Sequence, residues 1–284
     1  MRRQKSFDNG NPTLYIVATP IGNLSEMTPR AIEILRTVDV IAAEDTRNTM
    51  KLMHHFDIHT KVIAHHMHNE KNSAKGLIDM LHEGKSVAVV SDAGYPLLSD
   101  PGLVITQMVI EEGYNVVPIS GSNAMLNALV ASGISVQPFM FYGFLKSTEK
   151  ERIKELHELK DYRCTIILYE APHRLHKTLH NIMEIMGNRY LCIARELTKK
   201  HEEFIRGNVE ELLEIADELK GEIVLVIEGY REIAKEQKSF VDIQEQIDLY
   251  IQEEGYTTKD AIKRVAKETG LSRNEIYNEY HKLN

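Results

Sequence analysis

Cysteine is scarce in this 284-residue chain, which holds two, Cys164 and Cys192, both inside apolar, strand-like runs. Thiols placed that way read as buried free cysteines in a reducing compartment, which excludes a small disulfide-built scaffold. Long hydrophobic runs are lacking as well. None approaches the roughly 18 residues that cross a bilayer, and the basic opening stretch has no apolar core of the kind a secretory signal needs. The expectation is a cytoplasmic protein with no membrane partner. Positive charge is also short: 34 Lys and Arg against 42 Asp and Glu leave −8. A nucleic-acid partner would therefore require basic groups gathered on one face.

Several motifs are missing. No Gly-x-x-x-x-Gly-Lys-Ser/Thr stretch supports an NTP-binding loop, and no Gly-x-Gly-x-x-Gly follows a strand, which counts against a kinase, a GTPase and a nicotinamide dehydrogenase. Six histidines, His54, His55, His59, His65, His66 and His68, crowd one region. With no cysteine nearby and no His-Glu-x-x-His spacing, no metal site is expected there. His68 with Asn69 reads either as a substrate contact or as plain surface.

What is present is an alternation of short apolar runs and amphipathic segments. Length suggests about two domains. Strand-like runs fall around 15–17, 38–43, 61–64, 86–90 and 115–119, with helical patterns between them. Thr28 with Pro29 marks one helix start. This pattern predicts an open, largely parallel α/β sheet. It loosens around 133–138 and then resumes. Helices are expected at 150–160, 175–186 and 209–219, and strands at 165–169, 191–194 and 223–227. The resulting division is an N-terminal α/β domain over 12–135, a C-terminal α/β domain over 136–232 and a helical extension over 240–284. Within the extension, Gly270 divides two helices in a spacing similar to a helix-turn-helix. Six Lys and Arg against nine Asp and Glu leave it at −3, so packing or substrate positioning is expected of it rather than DNA binding.

The unusual residues concentrate where predicted strands end, the places at which open α/β sheets bind ligands. They are 20–23, 44–47, 91–102, 120–124, 170–174 and 195–199. Each has a plain alternative. Glycines and prolines after strands make turns, serine and asparagine cap helices, and Glu44-Asp45-Thr46-Arg47 can be a solvated ion-pair network. Six together form a constellation.

Seven stretches in order carry a resemblance: Thr19-Pro20-Ile21-Gly22-Asn23-Leu24, Ala43-Glu44-Asp45-Thr46-Arg47, Val90-Ser91-Asp92-Ala93-Gly94, Ser99-Asp100-Pro101-Gly102, Tyr142-Gly143-Phe144-Leu145, Glu170-Ala171-Pro172-His173-Arg174 and Arg195-Glu196-Leu197-Thr198-Lys199. Over about 13–232 the chain resembles the bacterial 16S rRNA (cytidine-2′-O)-methyltransferases of the tetrapyrrole methylase-like superfamily. The resemblance implies two α/β domains with S-adenosylmethionine in the cleft between them, a homodimer, and a cytidine 2′-hydroxyl in the decoding region of 16S rRNA, within the small ribosomal subunit, as substrate. It implies cofactor contacts from Pro20 and Ile21, from Asp92, Gly94, Tyr95 and Pro96, and from Ser122, Asn123 and Ala124. Leu168, Tyr169, Glu170, Ala194, Glu222 and Ile223 would complete them. Two positions depart from the family pattern. Residues 119–124 replace a usual Pro-Gly-Pro-Ser-Ala, and Tyr95 stands where a small residue is more common.

The candidates for the group that removes the hydroxyl proton are Asp45 and Lys199. Glu44, Arg47, His68, His173 and Arg174 are the candidates for binding RNA phosphate or ribose. Two rival readings remain: a methyltransferase acting on a tetrapyrrole or another small molecule, and a ribosome-binding protein without catalysis.

Overall fold

The computed structural model describes residues 3–6, 10–66, 70–231, 240–269 and 271–283. Met1–Tyr230 forms one compact unit and Arg231–Asn284 another.

In the larger unit, the apolar runs of the first half become β1 (Thr13–Val17), β2 (Val40–Ala43), β3 (Lys61–Ala64), β4 (Val87–Val90) and β5 (Asn115–Ile119). They pair in the order β3-β2-β4-β1-β5, every pair parallel. β2 and β4 are buried at every position, as continuous apolar runs must be when helices cover both faces of a sheet. One face packs Ile41, Ala88 and Ile119 against Leu35 of α1 (Pro29–Thr37) and Met53 of α2 (Thr46–His55). The other packs Leu14, Ile16 and Val89 against α3 (Glu70–His82) and α4 (Leu103–Glu111). Thr28 Oγ accepts from the amide of Ala31 with Pro29 in the first turn, the start that the sequence signals.

The second half departs from the expected parallel pattern. β6 (Phe139–Phe144), β7 (Thr165–Glu170), β8 (Tyr190–Arg195), β9 (Glu203–Asn208) and β10 (Ile223–Ile227) pair in the order β6-β7-β10-β8-β9. Only β6 and β7 run parallel; the other three pairs are antiparallel. The short segment 196–202 leaves no room for a crossover helix, so β9 must return beside β8 antiparallel. β9 escapes the sequence pattern because it is a polar edge strand, with a single buried residue. β6 emerges from the stretch that reads as loosened. The helix expected over 209–219 is a short α8 (Val209–Leu213) followed by a 3₁₀ turn.

One face of this sheet buries Leu168, Leu191 and Leu225 under α6 (Glu149–Leu159) and α7 (Pro172–Met186). The opposite face buries Ile167, Cys192 and Val226 under Ala128 and Leu129 of α5 (Ala124–Ser132). The last helix before β6 therefore covers the second sheet, not the first. Both cysteines are free thiols. The smaller unit consists of α9 (Phe240–Gln252), α10 (Thr258–Thr269) and α11 (Arg273–Leu283) around Ile243, Ile247, Ala261, Val265 and Ile276. Gly270, which the sequence places between two of these helices, lies outside the described residues. No described helix is long and apolar enough to cross a membrane.

One side chain fixes the long loop after β4. Gly102 precedes α4 and offers no capping side chain. Glu70, at the start of α3, supplies the missing acceptor: its Oε1 takes the amides of Gly102 at 2.9 Å and Val104 at 3.3 Å. Replacing a helix-capping acceptor by alanine typically costs about 0.5–2 kcal/mol. Glu70→Ala should lower stability by about that amount in urea unfolding, and Glu70→Gln, which keeps an acceptor oxygen, should restore most of it.

Candidate active site

The strand ends of both sheets converge within the larger unit. The turn after β1 and the loop after β4 are joined by a two-residue bridge in which Thr19 and Gly94 exchange backbone hydrogen bonds of 2.9 and 3.0 Å. Gly94 holds φ +75°, a conformation that side chains resist. Gly22, at φ +148°, lies against the segment after β8, where a β-carbon would sit 2.5 Å from Lys199 Cγ. Because β10 runs antiparallel to β7 and β8, its amino end reaches the same edge as their carboxyl ends. Backbone strain collects here too. Of the five non-glycine residues with positive φ among the described residues, Leu97 and Ser99 lie in the loop after β4, and Glu196 and Thr198 lie in the segment after β8. Each such residue costs of order 1–3 kcal/mol, and strain of this kind clusters at ligand sites.

These segments enclose a cavity of about 430 Å³, within the range of about 300–1,000 Å³ typical of small-molecule sites. Ile21, Leu98, Ala124, Leu197, Ile223 and Val224 give it apolar walls, and Tyr95, Phe144 and Tyr169 give it aromatic ones. The rings of Phe144 and Tyr169 meet edge to face at 5.5 Å. Acid groups line it as well. Asp92 and Asp100 face the cavity, and Glu44 lies close enough to Asp100 to raise its pKa. Burial, then Glu44, raise the Asp100 carboxyl to about 6, although the Ser91 hydroxyl opposes the shift. Burial and Asp92 likewise raise Glu44. A mostly apolar, aromatic chamber with crowded carboxylates fits a ligand that joins a flat ring to a separate positively charged group.

The profile of the Tetrapyrrole (Corrin/Porphyrin) Methylases matches residues 13–213. The chain belongs to the tetrapyrrole methylase family. It is 47% identical to Ribosomal RNA small subunit methyltransferase I of Bacillus subtilis over 99% of both chains, and 46% identical to its counterpart in Halalkalibacterium halodurans, again over 99% of both. Among solved structures, the uroporphyrin-III-C-methyltransferase of Thermus thermophilus superposes with a TM-score of 0.56 at 18% identity, covering 77% of this chain and 94% of the other. That likeness speaks to the fold alone.

Within this methylase fold, ten residues expected to hold the cofactor line the cavity: Ile21, Asp92, Gly94, Tyr95, Asn123, Ala124, Tyr169, Glu170, Glu222 and Ile223. The other five do not. Leu168 points to the far face of its sheet, into the core under α7, because strand side chains alternate. Ala194 is sealed beneath α5. Ser122 donates to Glu26 at 2.8 Å, Pro96 is buried in its own loop, and Pro20 lines a neighbouring cavity. The two departures from the family pattern meet: the Gly121 amide donates to the Tyr95 hydroxyl at 3.3 Å. The larger side chain thus serves the altered loop.

The two candidates for proton acceptor are both occupied. Asp45 caps α2 through the Arg47 amide, at 2.8 Å, and grips the Arg47 side chain at 2.6 and 3.1 Å. These bonds hold its carboxyl down at about 2, so it has little affinity for a proton. Lys199 lies 2.9 Å from both Glu196 and Glu222. Burial works against its charge, but the two carboxylates outweigh it and raise its pKa, leaving an ammonium with no lone pair to offer. Arg174 is likewise committed. It donates to the carbonyls of Leu145 and Lys146 at 2.8 and 3.2 Å, and its Nε lies 3.2 Å from Glu170 without a directed hydrogen bond. Glu170 is itself buried, accepting from Thr178 at 2.6 Å and from the Ala171 amide at 2.8 Å. The Glu170-to-Arg174 stretch therefore anchors the loop after β6 to the start of α7. His173 is exposed on that first turn, Arg47 is exposed beside Asp45, and Glu44 is half-buried in the acid cluster. His68 lies outside the described residues. Buried His65, from the histidine-rich region, bonds Ser73 at 2.7 Å.

Asp100 went unselected in the sequence, although it sits in the quoted Ser99-Asp100-Pro101-Gly102 stretch; an acid held between turn formers after a buried strand was the available signal. Its raised pKa has a consequence for folding. The folded state holds the proton more tightly than the unfolded chain, whose carboxyl titrates at the ordinary 3.8. That contribution is present at acid pH and lost as pH rises through about 6. Asp100→Asn should therefore raise Tm at pH 7.5, with the gain shrinking to nothing by about pH 4; calorimetric melts across that range check this.

Proposed function

We propose that this protein transfers a methyl group from S-adenosylmethionine to a cytidine 2′-hydroxyl in the decoding region of small-subunit ribosomal RNA. The observation that carries the reading is the near-complete alignment, at 46–47% identity, with proteins named Ribosomal RNA small subunit methyltransferase I. The cavity supports it. Tyr95, Phe144 and Tyr169 offer an aromatic surface for an adenine. Asp92, Asp100 and Glu222 offer negative charge to a cofactor that carries a sulfonium and an ammonium. When bound, S-adenosylmethionine supplies an electrophilic methyl group, which leaves sulfur as the acceptor oxygen takes it up. The chain's work is to orient the hydroxyl, an effect that reaches roughly 7–11 kcal/mol in favourable cases, and to take its proton.

Asp100 is the proton acceptor in this reading, in place of Asp45 and Lys199. It faces the cavity, and a carboxyl near 6 is ionised at neutral pH while still holding a proton better than an ordinary aspartate. Asp45 and Arg47 set the start of α2 beside the cluster.

Incubation with labelled S-adenosylmethionine and small subunits from cells lacking this enzyme, followed by mass spectrometry of the nucleosides, tests the assignment. The expected product is 2′-O-methylcytidine; label in another nucleoside, or none in RNA despite cofactor binding, contradicts it. The kcat/KM for S-adenosylmethionine, which reports the free enzyme, should rise along a limb centred near pH 6. Asp100→Asn should lose that limb and about 10²–10⁴-fold in kcat, whereas Asp45→Ala should retain the limb.

A further inference from the structure

A second cavity of about 380 Å³ adjoins the first and shares Ile21, Asp92, Ala93 and Glu222 with it as a common wall. Its other side is one face of α2. Asn48, Lys51, Leu52 and His55 recur at the spacing of successive helical turns and all line it. Pro20 and Leu24 contribute apolar surface. Asn48 reaches the shared wall, donating to Asp92 at 3.0 Å.

The charges in this second chamber differ from those in the first. Lys199 is present but neutralised by Glu196 and Glu222. Lys51 and His55 are exposed, and neither is paired with a carboxylate among the described residues. On a chain of net charge −8, an unpaired lysine one turn from a histidine, facing a chamber with apolar patches, is suited to an anionic ligand with an apolar body. The reaction needs two ligands side by side, and these two cavities have a wall in common.

Resting on the reading given under Proposed function, we propose that the second cavity receives a single-stranded RNA nucleotide, its phosphate held by Lys51 and His55 and its ribose turned toward the shared wall. The volume admits one nucleotide and no duplex, and single-stranded RNA is the form whose sugars and bases can enter a pocket. Asn48 and Asp92 lie between the two chambers and bear on the ribose end, and Lys51 and His55 bear on the phosphate.

Steady-state methylation of unmodified small subunits by Lys51→Ala and His55→Ala, at several salt concentrations, tests this. Both side chains are exposed and cap nothing, so the variants keep the fold. The expected result for Lys51→Ala is a KM for subunits raised about tenfold, with kcat within about twofold and the calorimetric Kd for S-adenosylmethionine unchanged. The slope of log affinity against log salt should become shallower by about 0.7, the signature of one lost single-strand phosphate contact. His55→Ala should raise KM as well. Unchanged KM and salt slope in both variants, while the wild type methylates rRNA, would overturn this assignment alone. A weakened Kd for the cofactor would overturn it too, by giving the chamber to the cofactor. A wild type that leaves the subunits unmethylated overturns the rRNA reading and this site with it.

Discussion

The crowding of Glu44, Asp92 and Asp100 at the carboxyl ends of β2 and β4 is the constraint around which the larger unit is organised. Glu44 and Asp100 are partly withdrawn from water beside Asp92, and burial first, then repulsion among the acids, raises the pKa values of Glu44 and Asp100. A fold selected for stability alone would not gather them. The arrangement makes sense if a cation completes it, and the aromatic and apolar walls of the same cavity favour a cation attached to a flat, weakly hydrated body. In the proposed reading, cofactor binding and proton acceptance draw on the same acids: a positive ligand holds Asp100 ionised, the form that can take a proton.

The surrounding backbone holds these acids in place against their repulsion. Glu70 caps α4 and so pins the far end of the loop that carries Asp92 and Asp100. The Thr19–Gly94 bridge pins its near end. Leu97 and Ser99 absorb strain between the two anchors. The opposing segment after β8 is strained in the same way at Glu196 and Thr198, and Lys199 closes it by joining Glu196 to Glu222. In this setting Lys199 and Asp45 hold backbone in place: the first ties the start of β10 to the segment after β8, and the second caps the start of α2. The ion pairs that make them good at this make them poor at accepting a proton.

Much of this was legible in the sequence, and the failures have identifiable causes. Buried runs such as Val87–Val90 announce a strand covered on both faces, as in a parallel sheet between helices. Ile223–Ile227 is just as apolar and runs antiparallel to both neighbours, so direction was not legible. Thr28-Pro29 and Asn123 announce helix starts by the hydrogen bonds they go on to make. The strand-end clusters marked the site, since topology brings those ends together wherever the individual side chains point. The pointing itself was not legible. Leu168 and Tyr169 are neighbours in sequence, and the alternation of a strand sends one to a core and the other to the cavity. Arg174 looked free to meet phosphate because nothing in the sequence shows the carbonyls of Leu145 and Lys146 arriving beside it. β9 was missed because an edge strand with a single buried residue shows no apolar alternation. Asp100 escapes the sequence pattern because its distinction is environmental: burial and Glu44, which is distant in sequence, set its pKa.

The most direct test of the account is isothermal titration calorimetry of S-adenosylmethionine binding at pH 6 and pH 8, in buffers of different ionisation enthalpy. A positive ligand entering beside a carboxyl that titrates near 6 should displace its proton. The account predicts binding at both pH values, proton release at pH 6, little at pH 8, and loss of the release in Asp100→Asn. Binding without proton release at pH 6, or no binding at all, would contradict it.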